Sequence, residues 1–74
     1  MRTFRDEEGR GWDVVAGRES WGAIVAIFVP SRGGSEVRQT VLHASSHVEG
    51  SAELAGLDES RLRDLLRESR PKNL

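Results

Sequence analysis

His43-Ala44-Ser45-Ser46-His47, with Glu49 two residues on, comes nearest to a catalytic or metal-binding set. Two imidazoles four residues apart can chelate zinc when they share one face of a helix. Here the segment reads as the continuation of a strand, and an extended chain would hold the two rings roughly 13 Å apart. No third ligand follows at a useful spacing. The expectation is a strand-end histidine and a loop histidine, with no metal site. Ser45 or Ser46 as a nucleophile beside His43 is weaker still, because no Gly-x-Ser-x-Gly elbow surrounds either serine. A 74-residue chain also leaves little material for a substrate cleft of enzyme size. Nucleophile, base and oxyanion donors do not form a coherent set. The chain is therefore expected to be no enzyme, with no catalytic residue, no metal ligand and no cofactor.

Arg32-Gly33-Gly34-Ser35 has the glycines of a phosphate loop but lacks its Gly-Lys-Ser/Thr end. It also leads into a strand instead of a helix N-terminus, so a plain hairpin turn is expected. The remaining candidates are Trp12 and Trp21 with Arg10, Arg18 and Arg32. Tryptophan and arginine are what single-stranded nucleic-acid platforms use for stacking. They are also the side chains that protein interfaces concentrate at their hot spots. Glu7, Glu8, Asp13 and Glu19 interleave with these arginines. Mixed charge repels phosphate locally and suits a protein partner better.

The bulk numbers agree. Eleven basic and twelve acidic residues nearly cancel, and neither half of the chain is a polycation. Up to His47 there are six of each sign; beyond it there are five basic and six acidic. Long-range attraction to phosphate is not built into such a composition. The absence of cysteine excludes disulfides, thiolate zinc sites and a cysteine nucleophile. The arginine bias and the scarcity of Asn, Gln and Met would suit a heat-adapted source. The longest apolar run, residues 23–29, is too short to span a bilayer, and the acidic N-terminal stretch lacks the apolar core of a signal peptide. A cytoplasmic, bacterial location with no membrane contact is expected.

The elements that must position these residues follow from periodicity. One domain is expected over 1–74, since a chain this short has no room for a second core. Residues 3–5 and 12–15 read as strands joined by the polar loop Asp6-Glu7-Glu8-Gly9-Arg10, and Ala16-Gly17-Arg18-Glu19-Ser20 as the next turn. Residues 21–29 form the strongest strand, stopped by Pro30, and residues 36–44 a fourth. The expected fold is α+β: a four-stranded antiparallel β-meander over 1–47, flat or curled towards a small barrel, packed against one C-terminal α-helix. Residues 48–57 read as a linker or short helical turn. The helix spans 58–70, with Asp58 as N-cap, Leu57 and Leu62 as a hydrophobic staple, a stripe of Leu62, Leu65 and Leu66, and Pro71 as terminator.

Alternation in the third strand puts Ile24, Ala26 and Phe28 on one face and Val25, Ile27 and Val29 on the other. One helix covers one face. The second apolar face must then curl into its own core or pack against another molecule. This favours a small protein-interaction or accessory module, with a homodimer through that face as one form. Trp12, Trp21, Arg10, Arg18 and Arg32 are the expected partner-binding residues. The alternative is a small β-rich single-stranded nucleic-acid binder that uses the same Trp and Arg side chains.

Overall fold

Three of the strand connections obey one local rule. In Asp6-Glu7-Glu8-Gly9, Glu19-Ser20-Trp21-Gly22 and Pro30-Ser31-Arg32-Gly33, the amide of the fourth residue donates to the carbonyl of the first at 2.9–3.0 Å. That fourth residue is glycine each time, with φ of 84°, 100° and 85°, the left-handed region that other residues enter only at a cost. In the first two the chain re-pairs at once, the Asp6 amide donating to the Arg10 carbonyl and the Glu19 amide to the Ala23 carbonyl. This is the three-residue hairpin connection closed by a glycine. The third connection, residues 31–37, is longer.

The computed structural model describes residues 2–72. Strands β1 (Arg2–Arg5), β2 (Gly11–Arg18), β3 (Ile24–Pro30) and β4 (Arg38–Val41) are followed by helices α1 (His47–Gly56) and α2 (Glu59–Glu68) and by a short strand β5 (Arg70–Pro71). All pairings are antiparallel and the order is β1-β2-β3-β4-β5, so the sheet is an open meander with β1 and β5 at its edges. It does not close into a barrel.

Both helices lie on the inner face. Phe4, Trp12, Val14, Ile24, Ala26, Phe28 and Leu42 come from the sheet, and Leu54, Leu62 and Leu65 from the helices, to make one buried cluster. Phe4 and Phe28 meet edge to face, with ring centroids 5.9 Å apart. Asp58 caps α2 as its sequence requires, its carboxylate accepting from the Arg61 amide at 2.9 Å. Leu62 and Leu65 are buried, and Leu66 packs half-buried against them. Each buried leucine contributes roughly 1.5–3 kcal/mol.

Four features differ from the sequence expectation. The residues read as a linker or short helical turn form a full ten-residue helix, α1, whose N-cap Ser46 accepts from the Glu49 amide at 3.1 Å. The second turn lies at 19–22 instead of 16–20, so β2 runs to Arg18 and Trp21 sits on the turn. The fourth strand is shorter than 36–44. The C-terminal helix ends at Glu68, and the chain beyond it pairs as a fifth strand, with Pro71 opposite Arg38. Proline is tolerated there because β5 is an edge strand with a donor to spare.

Helix α1 approaches the sheet closely because of Gly50. A Cβ at that position would lie 2.7 Å from Ile24 Cγ2 and 3.5 Å from Ala16 Cβ. Gly56, at the other end of α1, faces open space. Gly50→Ala is therefore expected to lose about 1–3 kcal/mol through overpacking. Gly56→Ala is expected to gain about 0.4–1 kcal/mol by restricting the unfolded chain. Urea unfolding of the two variants measures both, and equal effects would show that α1 stands further from the sheet.

Candidate interaction surface

Trp12 and Trp21 have different fates. Trp12 is 3% exposed and belongs to the core. Its Nε1 donates to Asp6 Oδ2 at 3.0 Å. The Arg10 guanidinium stacks 4.8 Å from its ring centroid and forms an ion pair with Glu36 at 2.9 Å. Asp6 organises this corner. Its Oδ1 also accepts from the Glu8 and Arg10 amides, each at 2.9 Å. Partial desolvation pushes the Asp6 carboxyl up, but the Trp12 indole, the two amides and the Arg10 charge outweigh it and hold it below its ordinary value. This cluster closes the β1–β2 loop over the core and leaves no face of Trp12 to offer a partner.

Trp21 is 71% exposed at the tip of the β2–β3 turn. Arg18 is exposed at the end of β2 beside that turn, and Arg32 is exposed in the β3–β4 turn at the opposite end of the sheet. The six residue steps from Trp12 to Arg18 span on the order of 20 Å of extended strand. Arg10, Trp12 and Arg32 thus lie at one end, Arg18 and Trp21 at the other, and the five expected partner residues form no single patch. Around Arg32 there is a concavity of about 530 Å³ whose lining includes Thr3, Arg5, Glu8, Arg10 and Ser31.

The two histidines stay apart in role. His43 is exposed beyond β4, while His47 opens α1 and places Nε2 2.9 Å from the Ala16 carbonyl oxygen. Ser45 donates to Glu49 at 2.8 Å. Among the described residues, no three His, Asp or Glu side chains gather as metal ligands, and every buried side-chain nitrogen or oxygen is hydrogen-bonded. No helix is long and apolar enough to cross a membrane.

The face of the sheet away from the helices is rich in apolar side chains. By register it carries Thr3, Asp13 and Val29 in one row, Val15, Ile27 and Gln39 in the next, and Gly17, Val25 and Val41 in a third. Val25 is 1% exposed, Val15, Ile27 and Val29 are half-buried, and Val41 is 53% exposed. Gly17 keeps this surface low, because Ile27 Cδ1 lies across it where a Cβ would stand 2.5 Å away. At one margin Lys72 Nζ bridges Glu19 at 3.1 Å and Gln39 at 3.0 Å. At the other, Asp13 accepts from Thr3 at 2.8 Å and from Ser31 at 3.1 Å.

Comparison with protein-family models, with curated proteins and with solved structures gives no match. The sequence pointed to the outer face through the parity of Val25, Ile27 and Val29. It missed the full length of helix α1, although Ser46 followed by Glu49 three residues later is a helix-start signature.

The lowered Asp6 carboxyl has a signed consequence. Its native-state stabilisation is fully present above the ordinary aspartate value of 3.8 and is lost as pH falls through the lower native value. Asp6→Asn is expected to be the less stable form at neutral pH, with the gap to the wild type narrowing in acid. Denaturant titrations at neutral pH and below pH 3.8 check this, and a gap that stays constant would show that the charge on Asp6 contributes nothing.

Proposed function

We propose that this chain is a non-enzymatic protein-interaction module that self-associates through the outer face of its sheet. The observation that carries the reading is the apolar surface of Val15, Ile27, Val29 and Val41, which no element of the chain covers among the described residues. Low, β-branched sheet faces pack well on one another. Val41 left in water forgoes part of the roughly 1.5–3 kcal/mol that burial of such a side chain provides. The margins hold both signs, Arg5 and Asp13 at one end and Glu19 and Lys72 at the other. A two-fold related copy therefore meets no block of like charge. With Val25 buried and Val15, Ile27 and Val29 half-buried, the patch offers less area than a standard specific interface. A weak, concentration-dependent dimer follows.

Single-stranded nucleic-acid binding finds less support. Trp12 is enclosed, Arg10 is engaged by Glu36 and by the indole, and Trp21 stands far from Arg32. Stacking on successive bases needs aromatic rings side by side along a cationic track.

Sedimentation equilibrium over a wide concentration range tests the proposal. The wild type is expected to dimerise with a Kd on the order of micromolar to hundreds of micromolar, in line with a small interface. Val41→Lys, on an exposed strand-end position, is expected to stay monomeric with an unchanged circular dichroism spectrum. A wild type that remains monomeric at millimolar concentration would refute the reading. A shift with single-stranded oligonucleotides at low salt would move the nucleic-acid alternative ahead of it.

A further inference from the structure

Gly11 opens β2 and pairs with Arg5, the last residue of β1. On its other side its carbonyl accepts from the Ser31 amide, just past β3, at 3.1 Å. Phe4 and Trp12 face the helices, so the neighbouring Thr3, Arg5 and Gly11 belong to the outer face. Without a side chain, Gly11 leaves a notch in that row, since a Cβ there would stand 3.2 Å from Ser31 Oγ. The notch belongs to the concavity of about 530 Å³ around Arg32. That volume is in the range of small-molecule sites.

The polar groups of the lining divide into two kinds. Arg5, Arg10 and Arg32 bring guanidinium groups, which donate and never accept. Arg10 is already held by Glu36 and by the Trp12 ring. Arg5 and Arg32 are exposed and form no salt bridge among the described residues. Arg63 engages the Arg5 carbonyl and leaves its guanidinium alone. The second kind accepts. The Glu8 carboxylate has no proton to give, and the Thr3 and Ser31 hydroxyls both donate to Asp13 Oδ1, at 2.8 and 3.1 Å. With their protons committed, these hydroxyls offer lone pairs to whatever enters.

Two unneutralised guanidiniums match the two charges of a phosphate monoester, and their forks suit its oxygens. A carboxylate would satisfy one of them. The acceptors call for a ligand with O–H donors of its own. Asp13 and Glu36, which hold the lining from outside, join Glu8 to balance the three arginines. No long-range field therefore draws in a polyanion, which favours a small ligand over a nucleic acid. We infer that this concavity binds a small phosphate monoester with free hydroxyl groups. The phosphate takes the guanidiniums of Arg5 and Arg32, and the hydroxyls donate to Glu8, Thr3 and Ser31. The site uses none of the valines through which the chain is proposed to self-associate.

The probe is ribose 5-phosphate, titrated at low salt into the isotopically labelled full chain and followed through its amide resonances. The Gly9, Gly11, Ser31 and Arg32 amides are expected to shift together and saturate at millimolar ligand or below. Arg5→Gln and Arg32→Gln, at exposed positions, are each expected to weaken binding about tenfold through loss of a charge-assisted hydrogen-bonding partner. The amide spectra of the free variants are expected to match the wild type away from the substitutions. Ribose and inorganic phosphate are expected to bind several-fold more weakly than ribose 5-phosphate. Glu8→Gln is expected to weaken ribose 5-phosphate while leaving inorganic phosphate no weaker. No shift at millimolar ligand, or arginine variants that bind like the wild type, would refute the site. Inorganic phosphate bound as tightly as ribose 5-phosphate would mean an adventitious ion only and overturn the assignment. Glu8→Gln that tightens both ligands alike would overturn the role given to the hydroxyls. Tighter binding of a single-stranded oligonucleotide with a terminal phosphate would overturn the choice of a small ligand.

Discussion

Ile24-Val25-Ala26-Ile27-Phe28-Val29 is apolar at every position, and a strand sends alternate side chains to opposite faces. That pattern needs cover on two sides, while the chain supplies one helical layer. The helices take the face holding Phe28, where the large side chains of the core meet. What remains is handled piecemeal. Val25 is buried, Gly17 lets Ile27 lie flat, the Glu19–Lys72 pair crosses one margin, and Val41 stays in water. The unequal treatment of the two faces governs the rest of the molecule and is the reason its function is sought on the surface.

Attachment of the helical layer also relies on charged or polar side chains seeking backbone oxygen. Arg2 donates to the carbonyls of Leu54, Ala55 and Leu57 at the end of α1. Arg63 of α2 donates to the Arg5 carbonyl at 2.9 Å, on the outer edge of β1. Arg38 holds Ser69 through both its hydroxyl and its carbonyl. Each of these bonds satisfies an acceptor that a helix end or a sheet edge would otherwise leave to water. Charge-assisted bonds of this kind are about twice as strong as neutral ones. Such side-chain bonds matter in a domain with no disulfide and a small core. They also explain part of the arginine content without reference to any partner, since Arg2, Arg38 and Arg63 work inside the fold.

The parts of the fold that could be read from the sequence are those where local and tertiary signals agree. β3 carries β-branched or aromatic residues at every position from Ile24 to Val29 except Ala26, and α2 joins Asp58, Leu57 and a leucine stripe in one pattern. Helix α1 was hidden because its segment, with Gly50 and Gly56, is a poor helix former with little amphipathic character. Its helicity depends on contact with Ile24 and Ala16, which sequence cannot display. Strand β5 consists of two residues, one of them proline, and exists only because β4 has a free edge. The second turn was misplaced because Gly17 resembled a turn glycine. The better guide was the shared pattern of glycine as the fourth turn residue at Gly9, Gly22 and Gly33. The candidate surface suffered for the same reason. Trp12 and Trp21 are nine positions apart in the chain, and only the correct turn separates them to opposite ends.

That separation has a spectroscopic consequence. The chain holds two indoles and no tyrosine, and the indoles occupy contrasting surroundings. Trp12, enclosed and hydrogen-bonded to Asp6, emits from a rigid apolar site sheltered from aqueous quenchers such as iodide. Trp21, on its turn, emits as a solvated indole that iodide reaches freely. A red shift of the sheltered component follows loss of the core, whereas a change confined to the quenchable component follows events near the β2–β3 turn. One emission spectrum thus separates unfolding from association without any label.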